Sequence, residues 1–224
     1  MKKNKVFIAC DNANLSEIKK ILKKARSPKL QIGYKFGLQF LNSKNGRKFI
    51  SKLKNEVIFG DYKISDIPNT CSEAIKSVSD LNFDYVTIHI NSGLEALKAA
   101  KKVSGKTKLL GVTVLTSLND KSLKEIGFKS NVKKLVLHQA QLANKAKLDA
   151  IVCSAQEVKI VKSIFKKEII TPGIRLNLKK DDQKRVLTPK QAFDNGADWI
   201  VVGRNITKGN IKKNIQKLIN HLNQ

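Results

Sequence analysis

At 224 residues and 25.0 kDa the chain fits one large domain, long enough to bury a substantial core. Its 44 Lys and Arg against 18 Asp and Glu give a formal net charge of +26, a balance that ordinarily raises nucleic acid or an anionic membrane as partner. The excess is lysine, however, with arginine only at Arg26, Arg47, Arg175, Arg185 and Arg204 and aromatics at 6%, so the forks and stacking platforms of a specific nucleic-acid site are missing.

A drift from arginine to lysine, with abundant Asn and Ile, explains this charge and leaves arginine where a planar fork is needed. Nonspecific polyanion binding at low salt is the remaining expectation. At the N-terminus, basic residues precede an apolar run, Val6–Cys10, that ends at Asp11 after five residues, too short for export. No stretch approaches the ~20 apolar residues of a membrane span. A soluble, cytoplasmic protein is expected, without a membrane partner.

Short β-rich runs then alternate with helical patterns. The predicted strands are Val6–Asp11, Leu30–Phe36, Val57–Lys63, Tyr85–Ile90, Leu109–Leu115, Leu148–Ser154, Glu168–Gly173 and Trp199–Gly203. The predicted helices are Leu15–Lys24, Cys71–Ser79, Leu94–Val103, Val132–Ala146, Gln156–Lys166, Pro189–Asn195 and Asn210–Leu222. Parallel strands need crossovers, and eight repeats without a Pro/Gly-rich break predict a single-domain α/β fold spanning 1–224, a closed (β/α)8 TIM barrel. Chemistry on such a barrel sits at the C-terminal strand ends, where the sequence places Asp11, Lys35, Asp61, Lys63, Thr116, Ser117, Gly203 and Arg204.

The densest of these positions is Asp61-Tyr62-Lys63-Ile64-Ser65-Asp66. The period of a strand puts Asp61 and Lys63 on one face and Tyr62 on the other, and Asp66 follows in the turn before Pro68. Flanking carboxylates keep the ammonium charged while the lysine keeps the acids ionised, which sets a proton donor beside concentrated negative charge. Spacing alone is equally satisfied by a surface ion pair with Asp66 as a helix N-cap.

Cys10, Cys71 and Cys153 are an odd count without metal-ligand spacing and are expected as reduced thiols. His89 and His138 fall in a strand and a helix and receive no role. Neither a dinucleotide fingerprint nor zinc spacing is present, so no cofactor and no metal are expected.

Asp61 to Thr70 resembles the signature of the orotidine 5'-phosphate decarboxylase family, departing from its commoner wording at Tyr62 and Ser65. Further matching blocks follow in the family's order: Ala9-Cys10-Asp11, Gly33-Tyr34-Lys35, Val112 to Ser117, Val152 to Ala155, Thr171 to Arg175, Asp182-Gln183 and Val202-Gly203-Arg204. The resemblance implies a homodimer with shared active sites and a charged network of Lys35, Asp61, Lys63 and the neighbouring subunit's Asp66, with Lys63 as proton donor. It further implies orotidine 5'-phosphate and UMP as ligands: Gly203 and Arg204 on the phosphate, Gln183 across phosphate and pyrimidine, and Thr116 on the base. Asp11 and Thr70 would lie at the ribose, Thr70 again across the dimer, and Arg175 and Gln183 would belong to a polar segment, Arg175–Lys184, that reads as a lid.

The nearest rivals share the barrel and the Asp-x-Lys-x-x-Asp array but act on sugar phosphates, as do keto-gulonate phosphate decarboxylase and hexulose phosphate synthase. Those enzymes use Mg2+ and need a carboxylate from strand two, where this chain has the cationic Lys35. A nucleic-acid-binding protein is the rival of a different class, and charge is its only support.

Overall fold

A computed structural model describes residues 3–12, 14–176 and 185–223. Eight parallel strands close into a barrel in sequence order: β1 (Asn4–Cys10), β2 (Leu30–Gly37), β3 (Val57–Ile64), β4 (Tyr85–His89), β5 (Lys108–Val112), β6 (Ala150–Val152), β7 (Glu168–Thr171) and β8 (Trp199–Val202). The last strand returns to the first, with Val6 opposite Ile200 and Phe7 opposite Val201.

Alternation along the strands separates two cores. In β1, Phe7 and Ala9 face the barrel interior with Phe59, Tyr85, Leu110, Ile170 and Trp199, whereas Val6, Ile8 and Cys10 join the layer beneath the helices. Inside, Phe7 stacks on Trp199 at 4.2 Å and meets Phe59 edge-on at 5.2 Å. Gly33 makes this packing possible, because a Cβ there would lie 2.5 Å from the Phe7 ring.

The outer layer comprises α1 (Leu15–Lys24), α2 (Leu38–Leu41), α3 (Gly46–Ile50), α4 (Pro68–Ser77), α5 (Leu94–Val103), α6 (Asp120–Glu125), α7 (Val132–Lys145), α8 (Val158–Ile164), α9 (Pro189–Asp194), α10 (Arg204–Thr207) and α11 (Ile211–Leu222). Asparagine side chains at 14, 119, 131 and 210 accept from backbone N–H groups in the first turns of α1, α6, α7 and α11, and Thr188 with Gln191 forms a capping box on α9. Each cap fixes where a loop turns into its helix.

The expected barrel is therefore present, with differences at element ends. Strands five and six are shorter than the apolar runs suggested, because Val114 and Cys153 are buried in loops beyond the ladder, and strand seven ends at Thr171 rather than Gly173. Apolar burial and strand pairing are separable there. Helix α4 begins at Pro68 rather than Cys71, and the short helices α2, α3, α6 and α10 were not anticipated, since runs of four to six residues carry too little periodicity to read. All three cysteines are buried free thiols. Among the described residues, no helix is long and apolar enough to cross a membrane.

Candidate active site

A cavity of about 960 Å3 opens at the C-terminal strand ends. One side is lined by Asp11, Lys35, Asp61 and Lys63 from β1 to β3 and the loops that follow; the other carries Thr116, Arg175, Gly203 and Arg204. Eight predicted site residues thus converge on one space. The stretch Arg175–Lys184 enters it through Arg175, whereas Asp182 and Gln183 lie outside the described residues.

Asp61 is the centre of the charged side. Its Oδ2 accepts from Lys63 Nζ at 2.8 Å and from Lys35 Nζ at 3.2 Å, while Oδ1 accepts from the Thr87 hydroxyl at 3.1 Å. Burial pushes the Asp61 carboxyl up, but the two ammoniums outweigh it and hold the group below the ordinary carboxylate range. Burial likewise pulls Lys35 down, and Asp61 and Asp11 together raise it above the ordinary lysine value. Lys35 also donates to Asp11 at 2.8 Å, giving a chain of alternating charge from Asp11 through Lys35 and Asp61 to Lys63.

Local backbone makes room for this chain. Gly37, just beyond Lys35 on β2, has no side chain, and a Cβ there would collide with the Asp11 carboxylate. At the end of β3 the pairing with β4 is irregular between Gly60 and Ile64, and Lys63 has φ +50°. That left-handed conformation costs a non-glycine residue about 1–2 kcal/mol. The Lys63 N–H donates to the Thr87 hydroxyl at 2.8 Å, which secures it. Tyr62 points away, packing edge-on against Phe83 at 5.7 Å as the strand period requires.

Thr87 was not among the candidates. It lies in the middle of an apolar strand and is wholly buried, and only its register beside β3 distinguishes it from a packing threonine. His89 closes the same strand, half-buried, where burial and then Lys63 lower its pKa.

Asp66 and Thr70 stand apart. Both are exposed at the start of α4 and neither lines the cavity of its own chain. The Asp66 carboxylate accepts from the Ile67 N–H at 2.7 Å, and Ile67 itself, the N-cap residue, is 65% exposed. Asp66 is therefore not the helix cap that spacing allowed.

On the opposite side, Gly203 follows β8 as the N-cap residue of α10 and Arg204 opens that four-residue helix, so one turn of backbone carries both to the cavity rim. A model of the Orotidine 5'-phosphate decarboxylase / HUMPS family matches residues 4–217. The chain belongs to that family.

Curated members include an orotidine 5'-phosphate decarboxylase of Wolbachia from Brugia malayi, 40% identical over 96% of this chain and 97% of its own. One of Carboxydothermus hydrogenoformans is 47% identical over 77% of each chain. The crystal structure of orotidine 5'-phosphate decarboxylase from Lactobacillus acidophilus superposes with a TM-score of 0.83 at 32% identity, covering 99% of this chain and all of that one. Family membership thus extends over the barrel and both sides of the cavity.

Proposed function

We propose that the chain converts orotidine 5'-phosphate to UMP and CO2, the last step of pyrimidine nucleotide synthesis, without a cofactor and with Lys63 as proton donor. The observation that carries this reading is the Asp61 carboxylate held between the Lys35 and Lys63 ammoniums at the cavity wall. Breaking the bond between C6 and the carboxylate leaves an electron pair in an sp2 orbital that the ring delocalises poorly. A fixed positive charge must meet it. Lys63 supplies that charge and then its proton to C6, and regains a proton from solvent.

The surrounding groups stay in place while charge develops, which is electrostatic preorganisation. Asp61 holds Lys63 by their 2.8 Å contact and stands where the departing carboxylate is expected. At the other side, Arg204 offers a planar fork and Gly203 an unobstructed backbone N–H to the phosphate dianion. Binding energy from this remote grip serves the reacting end. Thr116 contacts the base, Asp11 the ribose and Arg175 the nucleotide. Asp66 and Thr70 complete the site of the second subunit in a dimer, which their exposure outside their own cavity supports.

The donor set favours this substrate over the sugar phosphates of the wider family. Lys35 sits within 2.8 Å of Asp11 and 3.2 Å of Asp61, so an ammonium already occupies the space between the carboxylates that a divalent ion would need.

Loss of orotate absorbance from orotidine 5'-phosphate, followed with a chelator present, tests the reading. Turnover is expected to persist in chelator and to vanish in Lys63→Ala while UMP still binds. No turnover by the wild-type chain would overturn the proposed activity, and near wild-type turnover in Lys63→Ala would remove Lys63 from the mechanism.

A further inference from the structure

Beyond β5 the chain leaves the sheet as a loop whose Val114, Leu115, Thr116 and Ser117 form one wall of the cavity. Three backbone carbonyls of this loop turn toward a single point behind that wall. There the Arg185 guanidinium donates from Nη2 to Val114 O at 2.8 Å and Leu115 O at 3.0 Å, and from Nε to Leu118 O at 3.1 Å. Converging carbonyl dipoles repel one another unless a cation lies between them.

The cation is itself held. Arg185 Nη1 is 2.7 Å from Glu157 Oε2, and both side chains are only 8% exposed. Glu157 is fixed in turn at the N-cap of α8, where its N–H donates to Ser154 O at 3.0 Å. The Ser154 hydroxyl donates back to Arg185 O at 3.4 Å. Neither Arg185 nor Glu157 lines the cavity that Thr116 and Ser117 enter; both border a smaller, open pocket behind that wall.

Composition supplies an independent argument. Lysine supplies nearly all the basic residues of this chain, and position 185 is one of only five that carry arginine. Three carbonyls and a carboxylate around one cation suit a guanidinium with five fixed donors better than a compact ammonium with three.

We infer that Arg185 and Glu157 are positioning residues: the guanidinium, anchored by Glu157, sets the conformation of the loop that presents Thr116 and Ser117 to the base end of the nucleotide. The identity of that ligand rests on the decarboxylase reading above; the loop's dependence on Arg185 does not.

The test compares UMP with ribose 5-phosphate, which keeps the sugar and phosphate but lacks the base, and adds amide hydrogen exchange of residues 114–118. In Arg185→Lys, UMP affinity should fall about tenfold or more, as expected for one or more lost hydrogen bonds to a positioned wall, with ribose 5-phosphate affinity unchanged. Exchange in the loop should accelerate while the barrel strands stay protected. Equal losses for both ligands, or unaltered loop exchange, would overturn the inference.

Should Arg185→Lys fail to fold, Glu157→Gln keeps the shape and leaves the guanidinium on its carbonyls. The same selectivity is expected with a smaller loss, and its absence counts equally against the clamp. Wild-type chain that binds no UMP but whose loop still loosens in the variants would sink the decarboxylase reading and leave the clamp standing.

Discussion

The backbone N–H of Lys63 donates to the Thr87 hydroxyl at 2.8 Å, so a buried residue of β4 fixes the backbone of the ammonium-bearing residue on β3. The same hydroxyl donates to Asp61 Oδ1 at 3.1 Å. One small side chain therefore sets both members of the central ion pair, and it does so at the point where Lys63 adopts its left-handed conformation.

Thr87→Val keeps the shape and removes both bonds. A lost hydrogen bond to a charged group costs about 1.5–3 kcal/mol, which in the reacting state lowers kcat roughly 10- to 150-fold. UMP affinity should change far less. Steady-state kinetics beside UMP titration checks this, and an unchanged kcat would show that the Lys63 conformation is held without Thr87.

Arg204→Ala should weaken phosphorylated ligands most, since a charge-assisted contact is worth about 1.5–3 kcal/mol. Binding of UMP and of uridine separates this from general damage. Equal losses for the two would place the phosphate elsewhere.

Stability should respond to acid through Asp61. Its folded pKa lies below the ordinary 3.8, so its contribution is complete above that value and is lost as pH falls through the folded pKa. Lys35 has the opposite sign: its pKa is raised above 10.5, so its contribution is complete below that and lost as pH rises through the folded value. Urea unfolding of wild-type and Asp61→Asn chains should show a gap that is constant through neutral pH and narrows in acid. A gap that widens toward low pH would contradict the assignment.

Assembly is tested by mixing. If Asp66 and Thr70 complete the partner's cavity, Lys63→Ala and Asp66→Ala homodimers are each nearly inactive, but their heterodimer contains one site with both native residues. Subunit exchange should then restore up to about half of wild-type activity per heterodimer, on the two-site symmetry of such a dimer. Proven exchange without recovery would confine Asp66 to its own chain.

Much of this architecture was legible because it repeats. Apolar runs such as Val57–Phe59 mark strands by composition, and the strand period places Asp61 and Lys63 on one face, where they meet although β3 is irregular at that end. Thr87 was hidden by the same regularity: a threonine in Tyr85–His89 looks like any strand residue until the register sets it beside Asp61. The left-handed turn at Lys63 had no glycine or asparagine to announce it. Arg185 was concealed for another reason, since the loop groups it holds lie 67 to 71 residues away in the chain and are backbone carbonyls, which no side-chain pattern reveals.

Trp199 is the chain's single tryptophan, and it lies against Phe7 where the first and last strands meet, with the Lys5 ammonium 5.3 Å from its ring. The indole begins β8 while the cavity opens beyond that strand's other end. Its emission is thus a native optical gauge of whether the cylinder is shut. Opening the seam exposes the indole to water and reddens the signal, whereas filling the far mouth leaves its surroundings dry, so one wavelength scan tells a chain that has come apart from one that has merely bound.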